Sequence, residues 1–166
     1  MKKSFAVELE KESLIFSAAH FITFGLPDGT EICESVHGHN YRIACRVRGD
    51  LDEHACVIDF IWLRDRLQEI AAKLDHHVLL PDSHPRIKVT KNETEVEVTY
   101  QEKRWVFPEQ DVAILPMDNT TAERLAEYIS DQLQALLNDK SGVQIGELSV
   151  GVDENEGQWA WCRTQR

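Results

Sequence analysis

The chain reads as an α+β domain in the order strand, strand, helix, helix, strand, strand. Two observations predict this: apolar residues alternate with polar ones near both ends, and two central segments repeat apolar residues at helical spacing. With 166 residues it is long enough to bury about two-thirds of its unfolded surface as one domain, spanning 1–166.

The first strand lies within 5–21, where Leu14, Phe16, Ala18 and His20 fall on one face because side chains alternate across a strand. The segment 24–35, with Gly25, Pro27, Asp28 and Gly29, has turn chemistry and reads as an exposed loop. A second strand follows, in which Tyr41, Ile43, Cys45 and Val47 alternate with Arg42, Ala44, Arg46 and Arg48. Asp59 is suited to cap a helix whose buried face is Phe60, Leu63, Leu67, Ile70, Ala71 and Leu74, ending near Asp75. A second helix opens at Thr120-Thr121-Ala122-Glu123, which fits a capping box. It runs on Leu125, Ala126, Ile129, Leu133, Leu136 and Leu137 to a turn at 138–142. Leu148, Val150 and Val152 then alternate, a turn occupies 154–157, and Trp159-Ala160-Trp161 returns as the last strand. Both helices are amphipathic and should cover a sheet. Between them, three β-prone runs within about 87–114 read as an inserted meander.

A formal charge of −11 argues against general binding to nucleic-acid phosphates, which rewards a basic face. No apolar stretch approaches the length of a membrane span, and no secretory signal pattern is visible at the start. The four cysteines, Cys33, Cys45, Cys56 and Cys162, read as free thiols of a reducing compartment, so a cytoplasmic location is expected.

The chemistry concentrates in Cys33-Glu34-Ser35-Val36-His37-Gly38-His39. In a strand, histidines two apart point to one side, and His20 at the end of the neighbouring strand is the candidate third ligand. Three imidazoles suit Zn²⁺ and leave a coordination position open, whereas the plain alternative is a turn with two surface histidines. Cys33 reads as a fourth ligand closing a structural site, as a small buried hydrophobe, or as an acid/base thiol beside the metal. Asp75-His76 fits a proton-relaying pair or an ordinary helix end. Glu154 extends the inward row of the third strand, either to meet a planar N–H-bearing ring or as a solvated loop carboxylate, and Glu156 shares its parity.

Together these segments resemble the 6-pyruvoyl-tetrahydropterin synthase family, which includes 6-carboxy-tetrahydropterin synthases. The resemblance runs from Phe16-Ser17-Ala18-Ala19-His20-Phe21, through the Cys-x-x-x-His-Gly-His of Cys33, His37 and His39, to Val57-Ile58-Asp59-Phe60 and Leu74-Asp75-His76. It continues at Thr121-Ala122-Glu123 and Val152-Asp153-Glu154. It implies a tunnelling fold (T-fold): a four-stranded antiparallel sheet with two helices on one face, assembling as a homohexamer, a dimer of trimers with intersubunit sites. It implies Zn²⁺ on His20, His37 and His39, with Cys33 as base and Asp75 and His76 relaying protons. Glu154 would anchor the pterin, supported by Thr121 and Glu123. The implied substrate is 7,8-dihydroneopterin triphosphate, and the implied pathways are tetrahydropterin and queuosine biosynthesis. A noncatalytic zinc or pterin module and a metal hydrolase are the competing classes. Asn155, Arg124 and the long insert depart from the family pattern.

Overall fold

The computed structural model describes residues 3–140 and 144–165. Its first strand, β1, spans Phe5–His20, and a short hairpin follows with β2 at Thr23–Gly25 and β3 at Glu31–Cys33. The strand β4 runs over His37–Gly49 and the helix α1 over Phe60–Ala72. Next come β5 at His77–Pro81, then β6 at Lys88–Lys91, β7 at Glu95–Tyr100, β8 at Lys103–Pro108 and β9 at Val112–Leu115. The helix α2 occupies Ala122–Asn138, and β10 at Ile145–Asp153 and β11 at Trp159–Gln165 complete the chain. The turn expected at 138–142 extends outside the described residues.

The main sheet has the strand order β11-β10-β4-β1-β5-β9. Its first four strands pair antiparallel, as expected. The sheet is wider than the expected four, because β5 and β9 add to the β1 edge in parallel. Neither short strand shows alternation in the sequence; Val78-Leu79-Leu80 is a continuous apolar run, the pattern of a strand covered on both faces. The meander is correspondingly shorter than 87–114. Only β6, β7 and β8 form its separate antiparallel sheet, while β9 belongs to the main one.

One irregularity sets the phase of β1. Val7 and Leu9 face the core at odd positions, whereas Leu14, Phe16, Ala18 and His20 face it at even ones. The change occurs where the β1–β4 register slips, between Glu10 opposite Ala44 and Ile15 opposite Arg42. Such a bulge turns the following side chains to the opposite face.

Asp59 caps α1 as expected, its Oδ1 accepting from the N–H of Ile61 at 2.7 Å and of Trp62 at 3.3 Å. Phe60 departs from the expected buried face and is 49% exposed, because it stands in the first turn, past the edge of the covered stripe. The core lies between the sheet and the two helices, with Phe16 stacked on Tyr41 at 4.8 Å between Leu63, Leu67, Leu125 and Ile129. Each such leucine stabilises the fold by about 1.5–3 kcal/mol when fully buried. A second apolar cluster joins the insert to the domain: Val96, Val98 and Tyr100 of β7 pack with Phe21, Cys33 and Leu80. The segment 24–35 is therefore not a plain exposed loop. It holds the β2–β3 ribbon, and Cys33 at its end is 7% exposed.

Candidate metal and catalytic site

The β1–β4 ladder sets His20 directly opposite His37 and Ala18 opposite His39. All three imidazoles therefore project from the same face at the end of two paired strands. Their ring centroids lie 4.7, 5.3 and 4.9 Å apart, and one nitrogen from each falls within 4.8 Å of the others. Gly38 between two of them eases the close approach of β1, since a Cβ there would sit a tight 3.3 Å from the carbonyl oxygen of Ala18.

His20 is 1% exposed. Its Nδ1 lies 2.8 Å from the carbonyl oxygen of Thr120 and must donate to it, so Nε2 carries a lone pair. That buried Nε2 has no hydrogen-bond partner, and the group 3.3 Å away is another acceptor, Glu154 Oε1. Burial pushes the His20 pKa down to about 4, and the neighbouring His37 and His39 add to this against the Thr120 bond, so the ring is neutral at pH 7. A neutral imidazole with one nitrogen fixed by an outer carbonyl and the other aimed at two further imidazoles is the preparation of a metal ligand. His37 is arranged alike, its Nδ1 2.9 Å from the Ser35 carbonyl. The donor set is three nitrogens, which suits Zn²⁺ with an open position.

Cys33 is not among the clustered donors, and its thiol packs in the second apolar cluster. Burial pushes its pKa up, with Glu34 and Glu31 acting in the same direction, while the Lys103 ammonium opposes them. The adjacent Glu34 places a carboxylate oxygen 4.0 Å from His37 Nε2.

Asp75 and His76 form a pair, Oδ2 to Nδ1, at 2.9 Å. The N–H of Ser17 donates to Asp75 Oδ1 at 2.7 Å and holds that carboxyl below its ordinary range, with His76 contributing. His76 is 82% exposed and has a positive φ of 59°, a conformation that non-glycine residues adopt at some cost. It meets the histidine cluster only along a shallow depression of about 490 Å³ that both His39 and His76 line. Thr121 and Glu123 lie elsewhere, at the start of α2 against Trp161 of β11. The expected capping box is absent. Thr121 alone caps α2, accepting from the N–H of Arg124 at 3.4 Å, while the Thr120 hydroxyl donates to the Phe21 carbonyl at 3.1 Å. Thr120 is thereby drawn to β1, where its own carbonyl holds His20.

Glu154 follows the buried row of Leu148, Val150 and Val152, as its parity predicts, and shares a 410 Å³ cleft with His39 and Arg42. Glu156 is exposed in the turn beyond it.

The 6-pyruvoyl tetrahydropterin synthase family model matches residues 8–165. The chain belongs to that family. A Methanocaldococcus jannaschii protein provisionally named 6-carboxy-5,6,7,8-tetrahydropterin synthase is 32% identical over 151 residues, covering 90% of each chain. The Plasmodium falciparum 6-pyruvoyl tetrahydropterin synthase structure superposes with a TM-score of 0.86 at 29% identity, covering 99% of this chain and 100% of that one. A Plasmodium vivax synthase with a glutamate named as catalytic replaced by alanine gives 0.86 at 25%, with the same coverage. The architecture is thus the T-fold of the pterin-forming synthases.

Within this synthase-family site, sequence reasoning missed Thr120, Glu34 and Asp153. The Asp153 side chain is fully buried, pairs with the Arg42 guanidinium and accepts from the N–H of Gln158 at 2.8 Å and of Gly157 at 3.3 Å. It fixes the turn that presents Glu154. A buried acid next to a turn signal, opposite an arginine on the paired strand, was the available clue. Asp153→Ala is expected to cost about 1.5–3 kcal/mol, the scale of hydrogen bonds made to a charged group, read from the urea midpoint. It should also weaken ligand binding through Glu154. An unchanged midpoint would show that the turn is held by other contacts.

Proposed function

We propose that the chain is a zinc-dependent lyase that converts 7,8-dihydroneopterin triphosphate to 6-carboxy-5,6,7,8-tetrahydropterin, taking up water, eliminating triphosphate and releasing the two outer side-chain carbons as an aldehyde. The 6-pyruvoyl product is the alternative outcome of the same first steps. The observation that carries this reading is the buried, unpartnered Nε2 of His20 converging with His37 and His39. Family membership supplies the substrate class.

In this reading His20, His37 and His39 hold the ion, which supplies Lewis acidity toward the hydroxyls of the substrate side chain and so eases removal of the neighbouring C–H protons. Cys33 accepts such a proton on Sγ. Asp75, kept ionised by the Ser17 N–H, orients His76, and His76 returns protons on the opposite side. Glu154 accepts two hydrogen bonds from the pterin ring N–H and amino group, with Thr121 and Glu123 as supporting contacts. In one chain Thr121 and Glu123 line a pocket separate from the histidine cluster, and His76 shares only a shallow depression with His39, which favours a homohexamer, a dimer of trimers whose subunits complete each other's sites. The sheet edges β9 and β11 are available for that assembly. Among the described residues no helix is long and apolar enough to cross a membrane, and we place the enzyme in the cytoplasm.

Glu34 supports a second reading of the base. It stands beside Cys33 with its carboxylate near His37, and in the Plasmodium vivax synthase the replaced catalytic residue is a glutamate.

Incubating the zinc-loaded chain with 7,8-dihydroneopterin triphosphate is expected to release triphosphate and a shortened side chain, both identified by mass spectrometry. Release of phosphate alone with an intact carbon chain would instead indicate a hydrolase. Absence of turnover on any dihydropterin would leave a noncatalytic binding module.

A further inference from the structure

The inserted β6–β8 sheet reaches the residues that carry the chemistry. β7 and β8 are joined by a tight turn at Gln101-Glu102, where Gln101 has a positive φ of 50°, so Lys103 emerges at the first position of β8. Its Nζ donates to the carbonyl oxygen of Cys33 at 2.6 Å and lies 3.5 Å from that of Glu34. Two neighbours fasten the ribbon and the residue that leads into it. The Tyr100 hydroxyl donates to Glu31 Oε1 at 2.9 Å, and Trp105 stacks on Phe21 at 4.7 Å with the rings 22° apart. The segment gripped in this way runs from the end of β3 toward His37 and carries both candidate bases.

We propose that Lys103 is a positioning residue for Cys33, its ammonium fixing the main-chain carbonyls that flank the thiol and placing a positive charge beside it. An ammonium is a strong donor to a carbonyl, and an arginine of similar reach would retain the charge. The other charged and titratable groups facing the thiol are Glu31, Glu34 and Tyr100, and none of them favours a thiolate. Lys103 alone among these offsets the cost of burial. Such a role gives the insert a purpose: it covers the thiol and holds its backbone while leaving the histidines to β1 and β4.

This inference rests on Cys33 acting as the base, so the test includes a readout independent of turnover. In zinc-loaded full-length protein, Lys103→Met is expected to lower kcat about tenfold or more, the scale of slightly misplacing a reacting group. KM and zinc content should stay within about twofold, since no ligand or substrate anchor changes. The pH midpoint of Cys33 alkylation by iodoacetamide, resolved from the other cysteines by peptide mass spectrometry, should rise. Lys103→Arg should restore most of kcat and the midpoint. Should Lys103→Met not fold, Lys103→Gln keeps a donor without the charge and is read in the same way. Wild-type kcat with an unmoved midpoint overturns the proposal, as do equal losses in the Met and Arg variants with the midpoint unmoved. Normal turnover in Cys33→Ala would sink the base assignment instead, while the alkylation midpoint would still judge Lys103.

Discussion

His20→Ala is expected to lose the metal and the activity together. His20 differs from its two partners in being buried and pre-set: the Thr120 carbonyl fixes its tautomer, and its free nitrogen meets no donor. Removing even an outer partner of a ligand lowers metal affinity about 10–100-fold, so removing the ligand itself should exceed about a hundredfold. Zinc per chain measured by mass spectrometry after dialysis should approach zero, while His76→Ala serves as a control that keeps the ion. The alanine also leaves the Thr120 carbonyl buried and unpaired, a cost of about 1–3 kcal/mol visible in the denaturant midpoint. A His20→Ala protein that retains stoichiometric zinc would exclude the three-histidine site.

The second large effect belongs to Cys33. Replacing a general base lowers turnover by about 10²–10⁴-fold. Cys33→Ala is expected to fall in that range with zinc retained, because the sulfur stands outside the cluster of donor nitrogens and packs against the insert. Loss of zinc would mean that the thiol closes a structural site. Glu34→Gln divides the remaining possibilities. A small effect leaves Cys33 as the base, whereas an effect as large as that of Cys33→Ala assigns the proton to the carboxylate, or to both groups in sequence.

The parts of this site readable from the sequence are those governed by local periodicity. Although the family resemblance is what singled out His20 as third ligand and Glu154 as anchor, the shared side of His37 and His39 follows from a period of two, and so does the inward parity that Glu154 shares with Glu156. The four antiparallel strands and both helices were legible for the same reason. Contacts between distant segments were not. Thr120 lies 100 residues from His20, and a backbone carbonyl leaves no mark on residue type. The Thr120-to-Glu123 pattern resembled a capping box because the same residue types serve both purposes. β5 escaped notice because a strand covered on both faces has no alternation to detect, and β9 because its four residues are a continuous apolar run too short to show any. Cys33 seemed to lie in an open loop because nothing local to 24–35 reveals that an insert some 70 residues later folds over it.

The slip of register in β1 separates the demands on its two halves. Upstream of the bulge the strand pairs Val7 and Leu9 with Val47 and Cys45, and downstream it sets the position of one imidazole. Because the extra residues between Glu10 and Ile15 take up differences in phase, the amino-terminal half can drift in length and composition without rotating His20 away from its partners. The bulge acts as a mechanical clutch between a part of the strand phased by packing and a part phased by the imidazole it carries.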